Sequence, residues 1–370
     1  MDKKVFLILI FILVFGIIVG GYFLISKPET FPTPSLAPKA PEDKELHIFN
    51  WENYLSEEII KNFEKEFNIK VYLDTFQSSD EVPLVLQSEP EKYDLIVVED
   101  NLVSLFKKLK LLSPLDHSQI PNLVNLKEEA KKNSYDFGNY YCIPYVHGFT
   151  GIAINEKYVK DFDGTRKIFW NQKYKGKISL PNLPEEILVN ALFYLGYPLE
   201  NVTKEQLNEA FELILKQKPL VIGYDDPIRQ RELMINEKAW IALIYSTEVL
   251  PIQEVNPNIK FFAPKEGVLL WADNFCIPKD AQHKKAAHLF LNYLLEPKIS
   301  AQNSQDIGAL MVNEKMDEFL PEEFKEKHRG LDFPLDKEVL AKSKYFTSYQ
   351  NLQVLETINK IKTEIETNSE

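Results

Sequence analysis

An unbroken apolar run from Val5 to Ile25 follows the charged start Met1-Asp2-Lys3-Lys4, and it constrains everything after it. Its 21 residues are long enough to cross the ~30 Å hydrocarbon core of a bilayer as a helix. A secretory signal has a shorter apolar region, about 7–15 residues, ending in a small-x-small cleavage site. Ala37 and Ala40 are spaced wrongly for such a site, and no cysteine near the end of the run offers a point of lipid attachment. Residues 1–25 are therefore expected to be a retained membrane anchor rather than a cleaved signal. Lys3 and Lys4 place the short leading side in the cytoplasm, so the rest of the chain is expected outside it. Residues 26–44 carry Pro28, Pro32, Pro34, Pro38 and Pro41 and few large apolar side chains. Proline-rich chain is extended, at ~3.1 Å per residue, so this stretch reads as a stalk reaching roughly 60 Å.

The remaining chain is long. A single core stops growing near ~250–300 residues, so a chain of 370 residues is expected to form two lobes. Its net charge of -12 excludes a general nucleic-acid binder, which needs a basic surplus to displace phosphate counterions. The same charge suits a cationic ligand. Cys142 and Cys276 are the only cysteines, which excludes a disulfide scaffold and a cysteine-rich metal site. They are read as buried free thiols, with pairing in an oxidising compartment as the alternative.

Strand and helix patterns alternate. Leu46 to Trp51 reads as a strand, Ser56-Glu57-Glu58 as a capped helix start, and Leu55, Ile59, Ile60, Phe63 and Phe67 as a helical apolar face. Ile69–Thr75 and Asp94–Val98 read as further strands, with helices over Asp80–Gln87 and after Asp100. This alternation predicts a mostly parallel sheet with helices on both faces. Ligands bind beyond the carboxyl ends of such strands, where Trp51–Tyr54 and Glu99–Asn101 fall. A second α/β pattern after Gly148 contains strands at Lys177–Leu180, Ala239–Tyr245 and Leu269–Pro278, and helices at Glu185–Leu195 and from Lys284 to Leu295. Trp271 and Asp273 stand two apart on one strand and so share a face.

Catalytic signatures are missing. The sequence has no G-x-S-x-G, no Walker A, no G-x-G-x-x-G and no H-E-x-x-H, and no histidine pairs at metal-ligand spacing with another His or Cys. No enzyme activity, metal or cofactor is expected. An enzyme would need a nucleophile or metal set, and an adhesive surface protein would not need converging aromatics and acids.

Six segments together resemble the polyamine-binding proteins of bacterial ABC uptake systems. They are Phe49-Asn50-Trp51-Glu52-Asn53-Tyr54, Tyr93-Asp94-Leu95-Ile96-Val97-Val98, Ile143-Pro144-Tyr145-Val146-His147-Gly148, Tyr174-Lys175-Gly176-Lys177, Pro264-Lys265-Glu266-Gly267, and Trp271-Ala272-Asp273 with Ile277-Pro278. Their order and spacing fit from about Leu46 to Asn313. The resemblance implies an α/β, two-lobed periplasmic-binding-protein fold (type II-like). Lobe 1 would comprise 45–150 and 272–320, lobe 2 151–271 and 321–370, and the cleft between them would close by hinge motion. It implies an extracytoplasmic (periplasmic or cell-surface) receptor that captures a putrescine- or spermidine-like polyamine for an ABC permease.

At matching positions the resemblance implies an aromatic box of Trp51, Tyr54, Tyr245 and Trp271, with carboxylates Asp273 and Glu186. Glu248, three residues after Tyr245, is a further candidate, as is Glu99. Physical chemistry suits the assignment: a desolvated ammonium over Trp gains ~2 kcal/mol or more, and carboxylates hold its charge. The sequence departs from the family at Glu99 and Asn101, where a serine and an aromatic stand, at Leu183, where an acid stands, and at His147, where an aromatic stands. These departures point to a negative charge moved from the second lobe to the first, and to another small cation or amino compound as the alternative ligand.

Overall fold

A computed structural model of the chain describes residues 43–329, 331, 335–348 and 351–366. The expected anchor, and the expected stalk apart from Asp43 and Lys44, lie outside the described residues. No helix among the described residues is long and apolar enough to cross a membrane.

Among the described residues ten strands form one sheet: β1 (Glu45–Trp51), β2 (Lys70–Phe76), β3 (Leu95–Glu99), β4 (Cys142–Asn155), β5 (Ile178–Pro181), β6 (Val221–Asp225), β7 (Ile241–Tyr245), β8 (Ile259–Phe262), β9 (Leu269–Cys276) and β10 (Lys344–Tyr345). Their order is β2-β1-β3-β9-β4-β7-β5-β6, with β10 beside β9 and β8 beside β4. Leu95–Val98 of β3 are all buried, as befits a strand covered on both faces. The expected capped helix is present as Glu57–Phe67. Its N-cap Ser56 accepts a hydrogen bond from the Ile59 amide, and Ile59 and Phe63 face the core. The helix Pro184–Leu195 begins with Pro184 and stops at Gly196, whose φ of 71° is left-handed, a conformation that costs glycine nothing.

The sheet is mixed rather than mostly parallel. β1, β2 and β3 pair in parallel, as do β5, β6 and β7, but β9 is antiparallel to β3 and β4, and β4 to β7 and β8. β4 is a single 14-residue strand that runs straight through Gly148, where the second pattern was expected to begin. Every residue of it is buried, so alternation could not mark its ends.

Two strands bridge separate cores. Leu46, Phe63, Val97, Tyr145, Val146, Ala272, Phe275 and Phe290 belong to one large core, drawn from 46–146 and 272–320. Phe149, Ile152, Ile154, Leu269 and Leu270 belong to other clusters, which also take in Ile187, Leu192 and Ile241, and Ile358 of the helix Leu352–Glu366. β4 and β9 thus pass side by side from one set of cores to the other.

Cys142 and Cys276 are not free thiols. They form a disulfide, and no free cysteine remains. The sheet register brings them together: Cys142 lies directly opposite Cys276 across β4–β9, with Cα atoms 4.4 Å apart. That is the close spacing of a non-hydrogen-bonded antiparallel pair, where side chains approach best. A separation of 134 residues hid the pairing in the sequence. The native chain should resist alkylation until unfolded and reduced. Cys142→Ser with Cys276→Ser should lower unfolding stability by about 2–5 kcal/mol in urea titration, and an unchanged midpoint would refute a stabilising bridge.

Candidate functional site

The chain turns sharply after β1. Asn53 takes a left-handed φ of 57°, which asparagine tolerates. Buried Asn50 accepts from the Trp51 amide at 2.8 Å and donates to the Tyr54 carbonyl at 3.4 Å. The Tyr145 hydroxyl donates to the same carbonyl at 2.5 Å, and Tyr145 meets Tyr54 edge-on at 5.5 Å. The turn is thereby fixed, and it sends Trp51 and Tyr54 toward β9.

Both reach Asp273. The Tyr54 hydroxyl donates to Asp273 Oδ2 at 2.9 Å, and the Trp51 side chain lies near enough to favour the charged form of this carboxylate. Across the β3–β9 ladder Asp273 stands opposite Glu99, so their side chains share one face. The Ser79 side chain lies near enough to favour the charged form of Glu99. Asp100 is buried close by and accepts from the Ala272 amide at 3.1 Å. Burial pushes the Asp273 carboxyl up to about 6. Burial, then the charge of Asp273, pushes Glu99 up to about 7. Asp100 is raised well above the usual carboxylate range, first by burial and then by Glu99 and Asp273.

Trp271, two residues before Asp273, meets Tyr245 edge-on with ring centroids 5.9 Å apart. Tyr245 ends β7 opposite Thr150 of β4. The Thr150 hydroxyl donates to Glu186 Oε1 at 3.0 Å, and the Tyr245 side chain lies near enough to favour the charged form of Glu186. Glu186 and Glu185 lie in the first turn of the helix Pro184–Leu195, where the helix dipole favours negative charge. Burial nonetheless pushes Glu186 up to about 7, against the hydrogen bond from Thr150 and the charge of Arg166. Arg166 is itself buried, donates to Asn190 Oδ1 and the Gly267 carbonyl, and lies over Phe193.

Seven of the eight residues named from the sequence therefore converge: Trp51, Tyr54, Glu99, Glu186, Tyr245, Trp271 and Asp273. Glu99, Asp273 and Glu186 all act electrostatically on the Tyr245 hydroxyl, as does Glu185. Among the described residues no lysine or arginine forms an ion pair with Glu99, Asp273 or Glu186. Aromatic walls around carboxylates without ion-pair partners can hold an organic cation.

The family model of bacterial extracellular solute-binding proteins matches residues 58–329. The chain belongs to that family. It is 29% identical over 333 residues to the putrescine-binding periplasmic protein PotF of Escherichia coli, covering 85% of this chain and 88% of the relative. It is also 29% identical over 287 residues to the putrescine/agmatine-binding protein of Pseudomonas aeruginosa, covering 71% and 77%. The solved spermidine/putrescine ABC transporter substrate-binding protein PotD of Streptococcus pneumoniae superposes with a TM-score of 0.79 at 28% identity, over 88% of this chain and 99% of that one. The fold is the mixed α/β fold of periplasmic binding proteins.

Glu248 of this solute-binding protein stands apart. Its carboxylate ion-pairs with Arg231 at 3.0 Å, so its charge is already met. His147 pairs with Ala272, one step out of phase with Gly148 and Trp271, and so lies on the other face of β4. Several contributors escaped the sequence reading. Asp100 and Glu185 adjoin named acids, but nothing local tells which of two neighbours turns inward. Thr150, Tyr145 and Arg166 act through partners distant in sequence. Gly148 did leave a signal, a glycine inside an apolar strand, which marks close approach. A Cβ there would sit 2.3 Å from Trp271 Cζ2 and 2.7 Å from Ser246 Oγ.

Gly148→Ala should therefore displace the indole and cost about 1–3 kcal/mol, measured by urea unfolding. Adding Trp271→Ala should recover a good part of that loss, and strict additivity would exonerate the indole. The raised carboxyls set a second expectation. Glu99, Asp273 and Glu186 bind more protons folded than unfolded between their ordinary range and about 7. Their contribution to stability is full below the unfolded values and is lost as pH rises through about 6–7. The ligand-free chain should gain less in melting temperature from about pH 8 to about pH 6 when Glu99→Gln and Asp273→Asn are combined. An identical pH profile would show that these groups do not titrate as described.

Proposed function

We propose that this chain captures a polyamine outside the cytoplasm and delivers it to an ABC permease, without catalysis. One observation carries the reading. Trp51, Tyr54, Tyr245 and Trp271 gather around Asp273, Glu99 and Glu186 while no lysine or arginine among the described residues ion-pairs with these acids. The rings supply a sleeve for methylenes and faces for ammonium groups. The acids supply counter-charge, and Tyr54 orients Asp273 while Thr150 orients Glu186. The names of the similar proteins, putrescine- and spermidine-binding receptors, agree in ligand chemistry.

The same reading assigns two lobes, 45–150 with 272–320 and 151–271 with the helix Leu352–Glu366, hinged on β4 and β9 and closing over the ligand. It also retains the anchor: Val5–Ile25 holds the receptor at the membrane, and the proline-rich stalk lets it reach the permease. Peptides from Lys27 to Lys39 should be recovered from the membrane-bound mature protein by mass spectrometry. A mature terminus mapped between Gly20 and Glu45 would refute the anchor.

Calorimetric titration of the detergent-solubilised full chain with putrescine and spermidine tests the ligand. Asp273→Asn keeps the shape and removes the charge, and should lose ~2–5 kcal/mol of binding, roughly 30-fold to several-thousand-fold, with an unchanged melting curve. Equal affinity in the variant would misplace the cationic site. A wild type that binds no polyamine would leave another organic cation as the ligand.

A further inference from the structure

We infer that Glu99 sets the charge of the preferred ligand: with Asp273 it forms a paired-carboxylate end that selects a triamine such as spermidine over a diamine such as putrescine. The inference rests on the polyamine reading above.

The β3–β9 register places Glu99 directly opposite Asp273. Side chains so placed start about 4.5–5.5 Å apart at Cβ, and the charge of Asp273 bears on Glu99. Tyr54 donates to Asp273 and holds it there, and Trp51 and Ser79 favour the charged forms of Asp273 and Glu99. Neither has an ion-pair partner among the described residues.

Acids elsewhere around the site have cations near them. The charge of Arg166 bears on Glu186, that of Lys362 on Glu185, and Arg231 pairs with Glu248. The uncompensated charge is therefore lopsided, concentrated where Glu99 faces Asp273.

A single ammonium group entering that end neutralises one carboxylate and leaves the other beside it as a like charge, which must then take up or keep a proton. A guanidinium also brings one positive charge and leaves the same remainder. The aminopropyl end of a triamine brings two ammonium groups across a short alkyl spacer, one for each carboxylate. Its body then passes the rings of Trp271 and Tyr245, and its last ammonium meets Glu186.

The test is calorimetric titration of the full chain with spermidine, putrescine and agmatine at about pH 7, in two buffers of different ionisation enthalpy. Wild type should bind spermidine about tenfold or more tighter than either dication. It should also release more protons on binding spermidine, because both carboxylates become fully charged. Glu99→Gln should weaken spermidine by about tenfold or more, draw the affinity ratio toward unity and remove the difference in proton release. Glu99→Asp, which keeps the charge, should keep the preference, and Glu99→Ser provides a second neutral variant should the glutamine fold poorly. A spermidine-to-putrescine ratio that is the same in wild type and in the neutral variants overturns the role of Glu99, as does a wild type that prefers a dication. Failure of wild type to bind any of the three instead overturns the polyamine reading itself.

Discussion

The pairing of β4 with β9 is the constraint on which the site depends. Both strands leave one core and enter another, and they do so side by side, so their register fixes what each core presents at the junction. Trp271 and Asp273 face the junction together only while that register holds, because a slip of one residue would turn both to the opposite side. The Cys142–Cys276 bridge ties the ladder at one end, and Gly148 fits beneath the Trp271 indole further along. β9 pairs with β3 on its other edge, so the same register sets Glu99 opposite Asp273. One strand thus carries an aromatic ring and a carboxylate, and aligns a second carboxylate from its neighbour.

Buried acids elsewhere in the protein show what is unusual about these. Asp94 is buried and accepts from the His47 amide, the His283 amide and the His283 ring. Buried Asp136 accepts from the Tyr141 and Cys142 amides and pairs with Lys107. Such carboxylates are satisfied and act as struts. Asp273 receives its hydrogen bond from the neutral Tyr54 hydroxyl, and the neutral side chains of Trp51 and Ser79 favour the charged forms of Asp273 and Glu99 without supplying positive charge. Burial and mutual repulsion raise their affinity for protons, and the folded chain bears that cost until a cation arrives. The strain sits on rigid elements, a turn braced by Asn50 and Tyr145 and two ladders of the sheet, so it persists as affinity rather than relaxing into a rearranged loop.

Local chemistry wrote much of this into the sequence. Ser56 with Glu57 and Glu58 announced a helix start, Asp94–Val98 a strand and Glu185–Leu195 a helix, because capping and side-chain periodicity act within a few residues. The spacing of Trp271 and Asp273 put them on one face for the same local reason, and resemblance in ordered segments pointed to the family and to most of the site. The sequence by itself could not decide partners. That Cys142 meets Cys276, that the sheet is mixed, that Glu248 is taken by Arg231 while Glu99 faces Asp273, and that Gly148 must be small for Trp271 to fit all depend on which residues stand opposite one another across strands far apart in the chain. Register is a property of the assembled sheet, set by the burial of many side chains at once, and only the tertiary structure fixes it.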